Sequence, residues 1–110
     1  MRDDHARLLD VLEAINHIEK YTDEGKKKFT SDELVQTWVL HNLLILGEAV
    51  SALSPELQAE HPEIPWHKIK GMRNTLVHHY FGIDKEVVWA VVEKDLPELK
   101  NAVKEILKNI

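Results

Sequence analysis

The stretch from Gly71 to Gly82, GMRNTLVHHYFG, is the richest in side chains that can do chemistry. An arginine is a fixed cation whose planar fork of N–H donors fits phosphate oxygens, and a histidine can take up and return a proton near neutral pH. Arg73 and His78 therefore have the side chains needed for phosphate chemistry without a metal ion.

Spacing decides how these two side chains can meet. At about 100° per helical residue, His78 is turned roughly 140° away from Arg73, whereas Tyr80 lies on nearly the same face as Arg73. Two arrangements stay open: the helix ends before His78, which Gly82 shortly beyond would allow, or a second copy of the chain completes the site across a two-fold axis. On spacing alone, Arg73 and the histidines also fit the exposed C-terminal end of a helix, where positive charge interacts favourably with the helix macrodipole.

The motif RNTLVHHY, from Arg73 to Tyr80, fits the RxxxxHxY signature of the HEPN-domain ribonucleases of the HepT toxin group. The run from Ile64 to Leu99 resembles that group almost throughout, and NLLILGEAV, from Asn42 to Val50, resembles its preceding helix. The resemblance implies an all-α HEPN-like bundle that pairs into homodimers, with the two motifs facing a shared cleft.

The same resemblance implies metal-independent cleavage of RNA by attack of a 2′-hydroxyl on the adjacent phosphate. His78 is the expected general base or acid, and Arg73 is expected to stabilise the charge on the phosphorane oxygens. Asn74 and Lys70 are expected to bind or orient the substrate, and Asn74 can also reach His78. Tyr80 resembles a regulatory acceptor of adenylyl groups from a minimal nucleotidyltransferase, the antitoxin of such pairs. No cofactor is expected.

Two other functional classes stay open. The first is a non-catalytic HEPN-like subunit that only docks a nucleotidyltransferase, although the complete RxxxxHxY pattern favours activity. The second is a metal hydrolase that uses His67, His78 and His79 with a carboxylate. Adjacent histidines point about 100° apart on a helix and do not make the i, i+4 pair of a zincin, so we expect no metal site.

Composition limits the class of protein. A chain of 110 residues with 44% hydrophobic content suits one small globular domain, spanning 1–110 and, by the resemblance, HEPN-like and helical. The absence of cysteine excludes disulfides and thiol nucleophiles. Nothing near Met1 resembles a signal peptide and no apolar run approaches the ~18 residues of a membrane span, so we expect a cytoplasmic protein.

Charge is unevenly distributed along the chain. The formal net charge of −5 argues against non-specific coating of nucleic acid, which needs many cations. From Trp66 to Lys85, however, cations outnumber anions, with Asp84 the only acidic residue and Lys68, Lys70, Arg73 and Lys85 the cations. A basic cleft on an acidic body would suit one RNA strand and an attached partner, although an ordinary solvated helix face fits the charges equally well.

The helical periodicity predicts four main helices in an antiparallel bundle. The first carries Leu8, Leu12, Ile15 and Ile18 and ends near Tyr21 to Gly25, before a solvated Lys26–Lys28 linker. The second begins near Thr30, which can form a capping box with Glu33 that Ser31 or Asp32 can share, and ends at Ser54–Pro55 before a connector framed by Pro62 and Pro65. Its apolar residues occupy almost every face, which predicts burial on several sides.

Polar and small residues interrupt this second helix at His41, Asn42, Gly47 and Glu48, and they need partners or open space. Glu48 falls on the face of His41. One interpretation is that Glu48 orients Arg73 or the catalytic histidine, and the favoured one is a structural hydrogen bond or ion pair.

The third helix begins at Pro65 and buries Trp66, Ile69, Met72 and Leu76, which leaves Arg73 at the edge of the buried side. Gly71 in mid-helix predicts close contact with another helix, since glycine there costs ~1 kcal/mol relative to alanine. Asp84 caps the fourth helix, with Ile83 packed on Val88.

The fourth helix is expected to break near Pro97 and to continue to Ile110. Three tryptophans and a second helix that is apolar nearly all round further predict self-association.

Overall fold

The all-α fold expected from the sequence is confirmed. A computed structural model describes residues 3–79 and 82–110, and the helices in this part of the chain are α1 Asp4–Thr22, α2 Lys26–Ser31, α3 Glu33–Ser51, α4 Pro55–Glu60, α5 Trp66–His79, α6 Lys85–Ala90 and α7 Leu96–Lys108. A π-helical turn, Val91–Asp95, joins α6 to α7. None of the described helices is both long and apolar enough to cross a membrane.

Helices α1 and α3 form the centre of the bundle and run antiparallel. Asp4, in the first turn of α1, accepts hydrogen bonds from the backbone N–H (2.8 Å) and hydroxyl (2.6 Å) of Ser54, just beyond the end of α3. At the other end of the pair, the indole of Trp38 donates to the carbonyl of His17 over 2.6 Å. The apolar side chains between the two helices are fully buried: Leu8, Val11, Ile15, Ile18, Val39, Leu46 and Val50.

The expected lysine linker is wrong, because Lys26–Ser31 forms the short helix α2. Phe29 is only 1% exposed and its ring lies 5.4 Å from that of Trp89, so a helical turn places the phenyl inward and the lysines outward. Thr30 donates to the carbonyl of Lys27 and is therefore not the cap of α3. The cap is Asp32, whose carboxylate accepts from the N–H of Leu34 over 2.9 Å.

Two ion pairs support α2. The carboxylate of Asp32 lies 3.1 Å from the ammonium of Lys28, and this hydrogen bond, with the bond from the N–H of Val35, lowers the pKa of Asp32. Glu86 on α6 pairs with Lys26 and raises the pKa of that lysine. Three of the four side chains are exposed and Asp32 is half-buried, so these pairs orient the short helix more than they stabilise the fold.

The connector between the second and third predicted helices contains a further helix, α4. Ser54 caps it by accepting from the N–H of Leu57 over 3.2 Å, and Pro55 occupies its first turn, where a missing N–H costs nothing. Trp66 then ties α4 to α5, because its indole donates to the carbonyls of Gln58 and His61 at 3.1 and 3.0 Å.

The predicted break near Pro97 is present, and its form is the π-helical turn at Val91–Asp95. Proline cannot donate a backbone hydrogen bond and its ring clashes with the carbonyl four residues earlier in an α-helix, so a wider turn before it relieves the conflict. The cap at Asp84 is confirmed, with a 2.8 Å bond from the N–H of Glu86. The last helix ends at Lys108, so the prediction that it reaches Ile110, which is 61% exposed, is wrong.

All three tryptophans find hydrogen-bond acceptors within the chain, Trp89 through the carboxylate of Glu93. The tryptophans therefore do not by themselves indicate that the chain associates with a second copy. Large exposed apolar side chains do occur among the described residues, and these include Leu34, 82% exposed on α3, and Val77, 49% exposed on α5. Homodimerisation stays a prediction.

Candidate active site

Helix α5 carries both candidate catalytic residues on one continuous helix. Trp66, Ile69 and Leu76 are buried as expected and Met72 is partly buried, which fixes the rotation of the helix in the bundle. The helix runs unbroken to His79, so the first of the two arrangements, a helix that ends before His78, is wrong. Arg73 and His78 consequently stay roughly 140° apart around a single helix.

Arg73 is held by two partners, Glu48 and Asn74. Its Nε donates to Oε1 of Glu48 over 2.9 Å, and its Nη2 makes a very short bond to the same oxygen. Its Nη1 donates to Oδ1 of Asn74 over 3.2 Å. With 32% of the arginine side chain exposed, the guanidinium is fixed yet accessible from solvent.

Gly47 makes this close approach of α3 and α5 feasible. A Cβ atom added at Gly47 would lie 2.7 Å from Cγ of Arg73 and closer still to Cβ, distances that side-chain atoms do not tolerate. The close contact predicted for Gly71 is wrong, because a Cβ added there meets nothing within 4 Å. The side chain of Arg73 therefore packs against Gly47 on α3 and not against Gly71 on its own helix α5.

The other predicted substrate-binding residues are also engaged within the chain. The exposed Asn74 bonds to Arg73, and no hydrogen bond joins it to His78. The ammonium of Lys70 donates to Oε1 of Gln58 on α4 over 2.8 Å. Lys68 pairs with Asp95 over 3.2 Å. Since Lys68 and Arg73, two of the four cations of this segment, pair with carboxylates, the segment is less basic than the sequence indicates.

The two histidines at the end of α5 are exposed, and Tyr80 lies outside the described residues. His78 and His79 follow the half-buried Arg73 on a part of the helix that faces solvent. Within residues 3–79 and 82–110, no group of three or more His, Asp or Glu side chains is placed to hold a metal ion.

The polar and small residues within the apolar helix α3 are hydrogen-bonded, exposed to solvent or packed in a close contact between helices. Asn42 is 1% exposed, donates to the carbonyl of Trp38 over 2.9 Å, and lies 3.2 Å from Nδ1 of His17. His41 and Glu48 are exposed, and Gly47 is buried beneath Arg73. The role of Gly47 was missed from the sequence, although a Gly-Glu pair in an otherwise apolar helix was the available signal.

Comparison with known proteins supports one family. The profile described as "Ribonuclease HepT-like" matches residues 11–106. A Thermococcus cleftensis protein named "Probable ribonuclease HepT" is 39% identical over 102 residues, which are 92% of this chain and 93% of that protein. "Putative RNase MJ1380" of Methanocaldococcus jannaschii is 35% identical over 103 residues, 93% of this chain and 94% of that protein. No solved structure matches the chain.

Proposed function

This chain belongs to the HepT-like ribonuclease family, and we propose that it is a metal-independent endoribonuclease, the toxin of a pair whose antitoxin is a minimal nucleotidyltransferase. The observation that carries the proposal is the state of Arg73: a half-buried guanidinium, fixed by Glu48 and Asn74, on the same helix as the exposed His78. A fixed cation and a solvent-accessible proton carrier are the two components that phosphodiester cleavage by a neighbouring hydroxyl requires.

In the proposed reaction, the RNA 2′-hydroxyl loses its proton, its oxygen attacks the adjacent phosphorus, and the 5′-oxygen leaves with a proton. His78 takes the first proton as general base or supplies the second as general acid, and water exchanges the other proton; such a role typically contributes ~10²–10⁴-fold to the rate. Arg73 stabilises the charge that grows on the phosphorane oxygens. Asn74 acts through its bond to Arg73, and Lys70 contacts the RNA backbone after release from Gln58.

The proposed site is shared by two copies of the chain. On the unbroken helix α5, Arg73 and His78 point in different directions, so one chain presents them poorly to a single phosphate. A two-fold axis would bring the arginine of one protomer opposite the histidine of the other. Val77, which lies between the two residues and is 49% exposed, supports an apolar contact at this position.

Silencing is proposed to act through Tyr80, the last residue of the motif. Transfer of AMP to its hydroxyl would add a nucleotide and a negative phosphodiester close to His78. An RNA phosphate would then be excluded by volume and by like-charge repulsion.

The test is cleavage of RNA by the purified protein in the presence of EDTA. Wild type is expected to cleave, whereas Arg73→Ala and His78→Ala each lose at least ~100-fold in rate with an unchanged helical circular dichroism spectrum. His67→Ala is the matched control, since it removes another exposed histidine of the same helix and should cleave normally. Cleavage by Arg73→Ala or His78→Ala at the wild-type rate would refute the role assigned to that residue.

One observation favours the alternative, a non-catalytic subunit that docks the nucleotidyltransferase. Every nitrogen of the Arg73 guanidinium already has an acceptor within the chain, an arrangement that also suits a purely structural arginine. Absence of cleavage under any condition, together with tight binding of the nucleotidyltransferase, would support this alternative.

A further inference from the structure

Glu48 uses only one edge of the Arg73 guanidinium. Nε and Nη2 both donate to its Oε1, so the side edge of the fork is occupied. A guanidinium carries five N–H groups. Glu48 accepts from two of them and Asn74 from one on Nη1, which leaves one N–H on each terminal nitrogen.

The free N–H of Nη2 faces in a defined direction. A guanidinium is planar, so when one N–H of Nη2 lies on the side of Nε, the other lies on the terminal edge, next to Nη1. The terminal edge therefore keeps at least the second N–H of Nη2 for a phosphate oxygen, and it offers a parallel N–H from Nη1 when Asn74 accepts from the N–H on the Cδ side of that nitrogen. A phosphate cannot take the side edge as well while the carboxylate of Glu48 is there.

The helix that carries Glu48 is itself packed into the core. The residue lies on α3, whose neighbouring side chains are buried in the core, and the adjacent Gly47 lets the stem of Arg73 lie directly against the helix. The arginine is therefore fixed at both its stem and its head. A pair with 32% and 54% exposed side chains contributes little to folding in general, so stability alone does not account for this arrangement.

We propose that Glu48 is a positioning residue of the ribonuclease site, which occupies the side edge of Arg73 and directs its terminal edge to the scissile phosphate. The inference rests on the proposed function. The proposal also explains why a carboxylate lies next to an arginine that must bind an anion. The negative charge of Glu48 weakens the attraction of Arg73 to the phosphate of the bound substrate. Its hydrogen bonds, however, hold the guanidinium in the geometry that the transition state requires.

The test separates the hydrogen bond from the charge. Glu48→Gln keeps an oxygen that can accept from Nε and Nη2, whereas Glu48→Ala removes both the acceptor and the charge. Steady-state cleavage of a short RNA should show kcat reduced ~10- to 100-fold in Glu48→Ala, with KM unchanged or lower, because positioning is lost and a repelling charge is removed. Glu48→Gln should keep kcat within about threefold of wild type.

A second measurement follows the arginine itself. The Nε–H resonance of Arg73, assigned by its disappearance in Arg73→Lys, should be sharp and slowly exchanging in wild type and in Glu48→Gln, and lost to exchange in Glu48→Ala. This readout depends on the hydrogen bond and not on RNA turnover.

The outcomes are distinct. An active wild type with a wild-type kcat in Glu48→Ala overturns the positioning role and leaves the proposed function intact. Equal loss of kcat in Glu48→Gln and Glu48→Ala overturns it too, because the charge and not the acceptor would then be needed. Absence of RNA cleavage by wild type, whatever the resonance shows, overturns the proposed function and this inference with it.

Discussion

Arg73 and His78 differ in how firmly the chain fixes them. The arginine is bound by Glu48 and Asn74 over a glycine of α3, whereas the histidine stands exposed near the end of α5. A group that stabilises charge works best when it is already in place, while a proton carrier must reach different atoms during the reaction. The difference in support therefore agrees with the two proposed roles.

Tyr80 follows directly on the two exposed histidines, and its hydroxyl is the predicted site of silencing. Incubation with the cognate nucleotidyltransferase and ATP is expected to add AMP to this residue and to abolish RNA cleavage, since a negative phosphodiester would then stand at the site. Peptide mass spectrometry locates the adduct, and Tyr80→Phe should not be modified. The prediction fails if the adduct lies elsewhere, or if modified protein cleaves RNA normally.

The packing of α3 on α5 predicts opposite effects for the same substitution at two glycines. Gly47→Ala is expected to destabilise the fold by about 1–3 kcal/mol, because the new Cβ overlaps the stem of Arg73. Gly71→Ala is expected to stabilise it by up to ~1 kcal/mol, because the site is open and alanine favours the helix. Urea unfolding measures both, and the same sign of change for the two variants would contradict the packing described.

The start of α3 gives a prediction about pH. Because the pKa of Asp32 is lowered in the folded protein, its charged form adds stability above the ordinary pKa of an aspartate, and this contribution is lost as the pH falls through the lowered value. Asp32→Asn, which can still cap the helix, should therefore melt below wild type at pH 7, and the difference should narrow at about pH 3, below the ordinary pKa of an aspartate. Thermal unfolding at the two pH values provides the check, and a gap of unchanged size in acid would contradict it.

The local features of the helices could be predicted from the sequence. The buried side of α5, the cap at Asp84 and the break near Pro97 each depend on residues within a few positions of one another. The helix α2 could not, because the residue that draws Phe29 inward is Trp89, far along the chain. Which glycine meets a neighbour also depends on how α3 and α5 are rotated in the bundle, and no local pattern specifies that rotation.

The whole assembly is tested by mixing two inactive variants. If each site takes Arg73 from one protomer and His78 from the other, Arg73→Ala and His78→Ala chains refolded together form mixed dimers with one intact site. Random pairing should then restore about a quarter of the wild-type activity, whereas each variant alone stays inactive. Sedimentation should show a dimer at micromolar concentration. Mixed dimers without activity would indicate that one chain supplies both residues.

The contact between Gly47 and Arg73 also constrains how this sequence can change through evolution. A glycine in mid-helix costs ~1 kcal/mol relative to alanine, and the overlap with the arginine stem is what forbids the replacement. A descendant that exchanges the arginine for a smaller side chain loses the Cγ overlap but keeps the Cβ overlap, because every residue except glycine carries a Cβ at that position. Gly47 should therefore persist even in lineages that have lost the arginine, as a trace of how closely the two helices approach.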